Sequence, residues 1–179
     1  MKKLISLFAV LLSVCLVAAP GCTQPGNNGW DFEQVAPVIR SSTTILTQLA
    51  FNDPRVAPHK AEICEATGKV VDFLNSYNDP DASFDNLKTA VLDVINQLPP
   101  ETLSNEAKQI TLAITEFVLD SGWVFVRDNY LDLINKDEAK VTILLAKSVA
   151  DGIQAACGTS VTTMSTAPDL NTYFDKYTP

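Results

Sequence analysis

The chain has 179 residues, 46% of them hydrophobic, with 13 Lys and Arg against 21 Asp and Glu and a formal net charge of -8. That length and apolar fraction suit one domain with a sizeable core and exclude a disordered or polytopic membrane chain. The acidic balance argues against nucleic acid, whose phosphates bind clustered Lys and Arg; one His and 2 Met disfavour most metal and redox enzymes, so neither a metal nor a cofactor is expected.

Residues 1–21 read as an export signal: Lys2 and Lys3, an apolar stretch from Leu4 to Val17, then Ala18-Ala19-Pro20-Gly21 before Cys22. The apolar run is shorter than the ~20 residues that a spanning helix needs, which weakens the alternative of a permanent transmembrane anchor. The sequence Ala19-Pro20-Gly21-Cys22 resembles the lipobox of bacterial lipoproteins, with Ala19 where Leu is usual and Pro20 an uncommon neighbour. The resemblance covers the signal alone. It implies that Cys22 becomes the first mature residue and the point of lipid attachment, anchoring the chain to the bilayer through its acyl chains. By the same resemblance, Thr23 after the lipid Cys, rather than Asp, permits outer-membrane sorting in a cell with two membranes, and the expected place is the outer membrane, facing the periplasm or the cell surface. Ordinary cleavage nearby, giving a soluble secreted protein, is the alternative. Residues 22–29 then comprise the lipidated Cys and a polar, Gly-containing segment, Thr23 to Gly29, that reads as a flexible tether.

From residue 30 to 179 the apolar spacing is helical nearly throughout, which predicts an all-α domain, a single bundle of about five main helices. Asp31 is placed to cap a first helix to about Ala50, with Phe32, Val35, Ile39, Leu46 and Leu49 inward and Pro37 late enough to kink or delay it. After Asn52-Asp53-Pro54, Pro58 marks the start of a second helix bearing Ile63, Val70, Val71, Leu74 and Tyr77, which ends before Asp79-Pro80. Ser83 caps a third, in which Leu87, Ala90, Val91, Val94, Ile95 and Leu98 recur at three- and four-residue steps until Pro99-Pro100.

Ser104 opens a fourth helix with Ile110, Ala113, Ile114, Phe117 and Val118 on one stripe, and Ser121-Gly122 offers a bend. Trp123-Val124-Phe125-Val126 has strand propensity, but its helical neighbours and the want of a partner strand make helix the expectation. Asn135 and Glu138 have capping-box spacing for a fifth helix, which runs to Cys157 with Gly158 as its stop. Leu144, Leu145, Ala146, Val149, Ala150, Ile153 and Ala156 surround most of its circumference and suggest a central position. Beyond a Thr- and Ser-rich loop, Leu170, Tyr173, Phe174 and Tyr177 follow i, i+3, i+4, i+7 spacing. They predict a short C-terminal helix whose aromatic face either docks on its own bundle or serves as a partner-binding surface.

Cys64 and Cys157 are the two cysteines that follow Cys22, and an exported protein favours a disulfide between them over two buried thiols or a reactive pair. His59 reads as a first-turn surface residue with Glu62 and Glu65 downstream; steps of three and six residues do not bring all three to one helical face for a metal. Asp79, Asp81, Ser83 and Asp85 alternate oxygen donors as a calcium loop does, but Phe84 holds the position that needs Gly and Ala90 the one that needs Glu. Glu116, Asp120 and Asp128 are expected on a solvated helix face. The chain carries no nucleophile elbow, P-loop, dinucleotide fingerprint or HExxH motif, so an enzyme is not the first expectation. That expectation is a membrane-anchored lipoprotein acting as a protein–protein interaction or structural accessory domain, with an envelope protein as partner. The alternative is a small-ligand carrier or sensor, its apolar pocket lined by Phe117, Trp123, Phe125 and Val149.

Overall fold

A computed structural model describes residues 32–158. Helix accounts for 82% of them and no strand occurs among them, so the domain is an all-α bundle. The signal, Cys22, the tether, Asp31 and the C-terminal residues Leu170, Tyr173, Phe174 and Tyr177 lie outside the described residues.

Helix α1 spans Phe32–Ala50, α2 Lys60–Ser76, α3 Phe84–Asn96, α4 Asn105–Asn129, α5 Leu131–Lys136 and α6 Glu138–Gly158. Phe32, Val35, Ile39, Leu46 and Leu49 of α1 are all buried, as their spacing requires. Pro37 lies within α1 without ending it; its ring is on the exposed side, where water can serve the carbonyl that a prolyl nitrogen cannot. Between α1 and α2 the chain turns on two buried anchors, Phe51 and Val56. A 3₁₀ turn at Ala57–His59 carries Pro58 into α2.

Two serine caps form where the sequence places them. Ser83 Oγ accepts the N–H of Asn86, and Ser104 Oγ that of Ala107. Helix α3 stops at Asn96, two residues short of Leu98, because Pro99 disfavours helical backbone in the residue before it. Lys108 then reaches back, donating to the carbonyls of Asn96 at 2.9 Å and Leu98 at 2.8 Å, the orphan acceptors of that terminus. Helix α4 continues through Ser121-Gly122 and through Trp123 to Val126 without a break. It is long and apolar enough to cross a membrane, but most of that surface is buried against its neighbours, as befits a core helix.

The capping box expected at Asn135 does not form. Asn135 lies inside the short α5, and Asp137 caps α6 instead, its Oδ1 accepting the N–H of Lys140 at 2.9 Å. Two oxygen-bearing side chains sit within two residues of each other, and the one at the backbone break takes the orphan donor.

Helix directions follow from particular contacts. Cys64, one turn into α2, is bonded to Cys157 at the end of α6, and Thr67 and Val70 face the same space as Ile153 and Ala150; α2 and α6 are antiparallel. Lys88 of α3 meets Asp120 of α4 while Lys108 meets the end of α3, so that pair is antiparallel too. Gly122 of α4 lies against Leu145 and Val149 of α6. The Lys60 ammonium stands 5.2 Å from the centre of the Phe51 ring, which puts the end of α1 beside the start of α2 and so beside the end of α6. Helix α1 therefore runs parallel to α6, which contacts every other helix and holds the central position its apolar circumference indicates.

The α1–α6 seam is close. A Cβ on Gly152 would stand 2.7 Å from the Arg40 carbonyl oxygen and 2.7 Å from Thr43 Cβ. Ser148 and Ala156, one turn to either side of Gly152, are also small and buried. The Thr44 hydroxyl lies 2.8 Å from the Arg40 carbonyl oxygen and 3.0 Å from that of Gly152, tying the helices at their crossing. Among the described residues the buried hydroxyls of Ser42, Thr47 and Thr142 meet no hydrogen-bond partner. Thr47 is fully buried, and stranding a hydroxyl costs about 1 to 3 kcal/mol. Thr47→Val keeps the shape without the hydroxyl and is expected to raise the unfolding free energy in denaturant titration by about 1 kcal/mol; a loss of stability would show that the hydroxyl finds a partner.

Candidate functional site

Cys64 and Cys157 form the expected disulfide, with Cα atoms 5.8 Å apart across a sequence separation of 93. Both residues are half-buried at the edge of the core. The bond fastens the first turns of α2 to the last turn of α6, where the described chain ends at Gly158.

One turn before Cys64, a polar cluster joins α2 to α4. His59 Nδ1 lies 3.3 Å from Glu62 Oε1, and its Nε2 lies 3.6 Å from Glu106 Oε2. The other oxygen of Glu62 accepts the backbone N–H of Ser104 at 2.7 Å. That N–H foremost, then the Ser104 hydroxyl and His59, hold the Glu62 carboxyl below its ordinary range despite partial burial. His59 is not the open surface residue that the sequence suggests, since its side chain is only 17% exposed. The i, i+3 step to Glu62 is legible in the sequence, whereas Glu106 arrives from another helix. The two carboxylates meet opposite ring nitrogens, an arrangement that bridges helices and does not converge on one metal ion.

A second charged cluster corrects an expectation. Glu116 is 5% exposed, not on a solvated face. Lys88 Nζ stands 2.9 Å from Asp120 Oδ1 and 3.8 Å from Glu116 Oε1. The same ammonium lies 5.7 Å from the centre of the Phe84 ring, which stacks on Trp123 with centroids 4.7 Å apart. Burial alone would push the Lys88 pKa down, but Asp120, Glu116 and Asp85 outweigh it and hold the group above its ordinary 10.5. A cation with a raised folded pKa stabilises fully below pH 10.5, and that contribution is lost as pH rises through the folded value. Lys88→Met is expected to cost about 2 kcal/mol at pH 7, because Asp120 and the buried Glu116 lose the ammonium that stands against both. Its stability should also fall less steeply above pH 10.5 than that of the parent chain. Parallel pH curves would show that the cluster contributes nothing.

Asp128 is exposed and pairs with the adjacent Arg127. In the segment with calcium-loop spacing, Asp79 accepts the N–H of Asp81 at 3.0 Å and the Tyr77 hydroxyl at 3.3 Å, an ordinary side-chain-closed turn. Among the described residues no group of three or more His, Cys, Asp or Glu could hold a metal ion.

The residues expected to line an apolar pocket are packed into the core. Phe117, Phe125 and Val149 are buried and Trp123 is covered by Phe84. The space that Val149 does line, with Val70, Val91, Leu119 and Ile153, measures about 10 Å³, near the volume of a single water site and far below that of an organic ligand. An open groove of about 270 Å³ lies on the surface between α2 and α6, bordered by Glu65, Gly68, Lys69, Asp72 and Gln154. No family model, no curated protein and no solved structure matches the chain.

Proposed function

We propose that this chain is a lipid-anchored lipoprotein of the bacterial envelope, sorted to the outer membrane and facing the periplasm or the cell surface, whose helical domain works by protein–protein contact. The observation that carries the export half is the Cys64–Cys157 disulfide, a bond that persists in oxidising compartments and is rare where thiols are kept reduced. It supports the reading of residues 1–21 as an export signal and of Cys22 as the lipid attachment point. The contact half draws on the aromatic spacing of Leu170, Tyr173, Phe174 and Tyr177 and on the burial of Phe117, Phe125 and Val149, the residues expected to meet a carried ligand, in the core.

Intact mass of membrane-extracted protein tests the anchor. The expected species begins at Cys22 and carries acyl chains, and Cys22→Ser should move the protein from the membrane to the soluble fraction. An unmodified start elsewhere would remove the lipoprotein reading. Affinity recovery from the native envelope after mild cross-linking tests the contact, with the full chain compared against one ending at Ala167. A specific envelope protein recovered by the first and lost from the second is the expected outcome. No partner from either would turn attention to ligand binding at the α2–α6 groove.

A further inference from the structure

We infer that a second copy of this chain docks on the α2–α6 groove, the two α2 helices crossing antiparallel at Gly68 about a two-fold axis. This goes beyond the envelope reading above and does not rest on it.

Gly68 stands in the middle of α2, where glycine is a poor helix former. A Cβ at Gly68 would meet nothing within 4 Å. Packing inside the described bundle therefore gives no reason for a glycine here, in contrast to Gly152, whose Cβ would strike α1. Gly68 instead lies on the floor of the open groove of about 270 Å³ bordered by Glu65, Lys69, Val71 and Asp72 of α2 and Gln154 of α6. A bare backbone on a groove floor suits a close helix crossing, because the facing helix can approach to a distance that a side chain would prevent.

Charge names the occupant. Glu65 and Lys69 flank Gly68 and both are exposed, and among the described residues neither has an ion-pair partner. They are four residues apart, so the midpoint between them lies about 1.5 Å along the helix axis from Gly68. A two-fold axis through that midpoint, perpendicular to α2, runs the second helix antiparallel and sets Glu65 of each copy opposite Lys69 of the other. Both charges are then matched by the same two residues used twice, as an isologous interface requires. A parallel crossing would set Glu65 against Glu65 and Lys69 against Lys69, so the pattern selects the antiparallel one. Asp72 lies about 7.5 Å along the axis from the midpoint, outside the reciprocal pairs. The net charge of -8 makes two copies repel at a distance. At physiological ionic strength that repulsion is screened beyond about 8 Å, whereas the pairs in contact lie inside that length. A single helix crossing falls at or below the roughly 1,200 Å² of a standard interface, which makes this a weak, reversible dimer.

Sedimentation equilibrium of the purified full chain in density-matched detergent, at about 0.15 M salt, reads the association. A monomer–dimer equilibrium is expected, with Gly68→Leu and Lys69→Glu each raising the dissociation constant about tenfold or more. Combining Glu65→Lys with Lys69→Glu restores the reciprocal pairs in reversed order and should return the constant to within about threefold of the parent value. Gly68→Leu puts a good helix former where the Cβ has open space. A melting temperature at or above the parent's then shows that a lost dimer is not a lost fold. A chain that stays monomeric at every concentration overturns the inference, as does a dimer that Gly68→Leu or Lys69→Glu leaves unchanged, or one that the charge exchange fails to restore.

Discussion

Replacing Cys64 and Cys157 by Ser is expected to lower the unfolding free energy by about 4 to 5 kcal/mol, the largest change that a two-residue substitution should produce in this chain. The reason lies mainly in the unfolded state, where a bond across a separation of 93 residues removes the entropy of a long loop. Native packing adds to it, since Cys64 and Cys157 both contact the core cluster. For a domain of this size each kcal/mol shifts the melting temperature by roughly 3 to 5 °C, so thermal unfolding with and without reductant should differ by about 12 to 25 °C. A difference of only a few degrees would mean that the reduced unfolded chain stays compact, or that α2 and α6 are held firmly without the bond. The unreduced double variant should show no response to reductant, which separates loss of the bond from other effects of the reagent.

Gly152→Ala is expected to destabilise the fold by about 2 kcal/mol, and Gly152→Val by more than about 3 kcal/mol. Intrinsic helix propensity alone predicts the opposite sign for alanine, a gain near 1 kcal/mol at a helix-interior glycine. Steric contact decides the matter, because the added Cβ would meet the backbone oxygen of Arg40 and the Cβ of Thr43, neither of which can swing aside. The remedy would be to move α1 off α6 at the crossing where the Thr44 hydroxyl also meets the Gly152 carbonyl. Gly68→Ala is the internal control: its Cβ meets nothing within 4 Å, so propensity should prevail and stability should rise by up to about 1 kcal/mol. Gly122→Ala falls between them, since the nearest atom is the end of the Leu145 side chain, which can rotate. Urea titration of the three alanine variants checks the order. Equal effects at Gly152 and Gly68 would show that the α1–α6 seam yields more readily than its geometry implies.

The helical reading rests on interactions that are local in the chain, which is why it was accessible from the residues. A serine cap at Ser83 or Ser104 bonds an N–H three residues on, and apolar spacing in α3 or α4 describes one face of one helix. Even the ambiguous Trp123 to Val126 follows this logic, because a strand there would need a partner and the neighbouring spacing leaves none. The cysteine pairing was legible for a different reason, since only two thiols remain after Cys22. Errors arose where a local rule had two candidates or where the partner lay on another helix. Asn135 and Asp137 both have the chemistry of a cap, and the position of the backbone break chose between them. Glu116 looked like one more surface carboxylate until Lys88 came from α3 to meet it.

From the sequence alone come the all-α class, the order of the helices, their capping serines, the disulfide partners and the expectation of an exported, lipidated chain. These depend on side-chain periodicity, on contacts a few residues apart and on counting. The tertiary structure decided which helices run parallel, that Gly152 is a contact surface and not a weakness in α6, that His59 links Glu62 to Glu106, and that Lys88 stands beside a buried Glu116. Each of these joins residues far apart in the chain, and their meeting is set by how whole helices pack around α6. No spacing rule within a single helix contains that information.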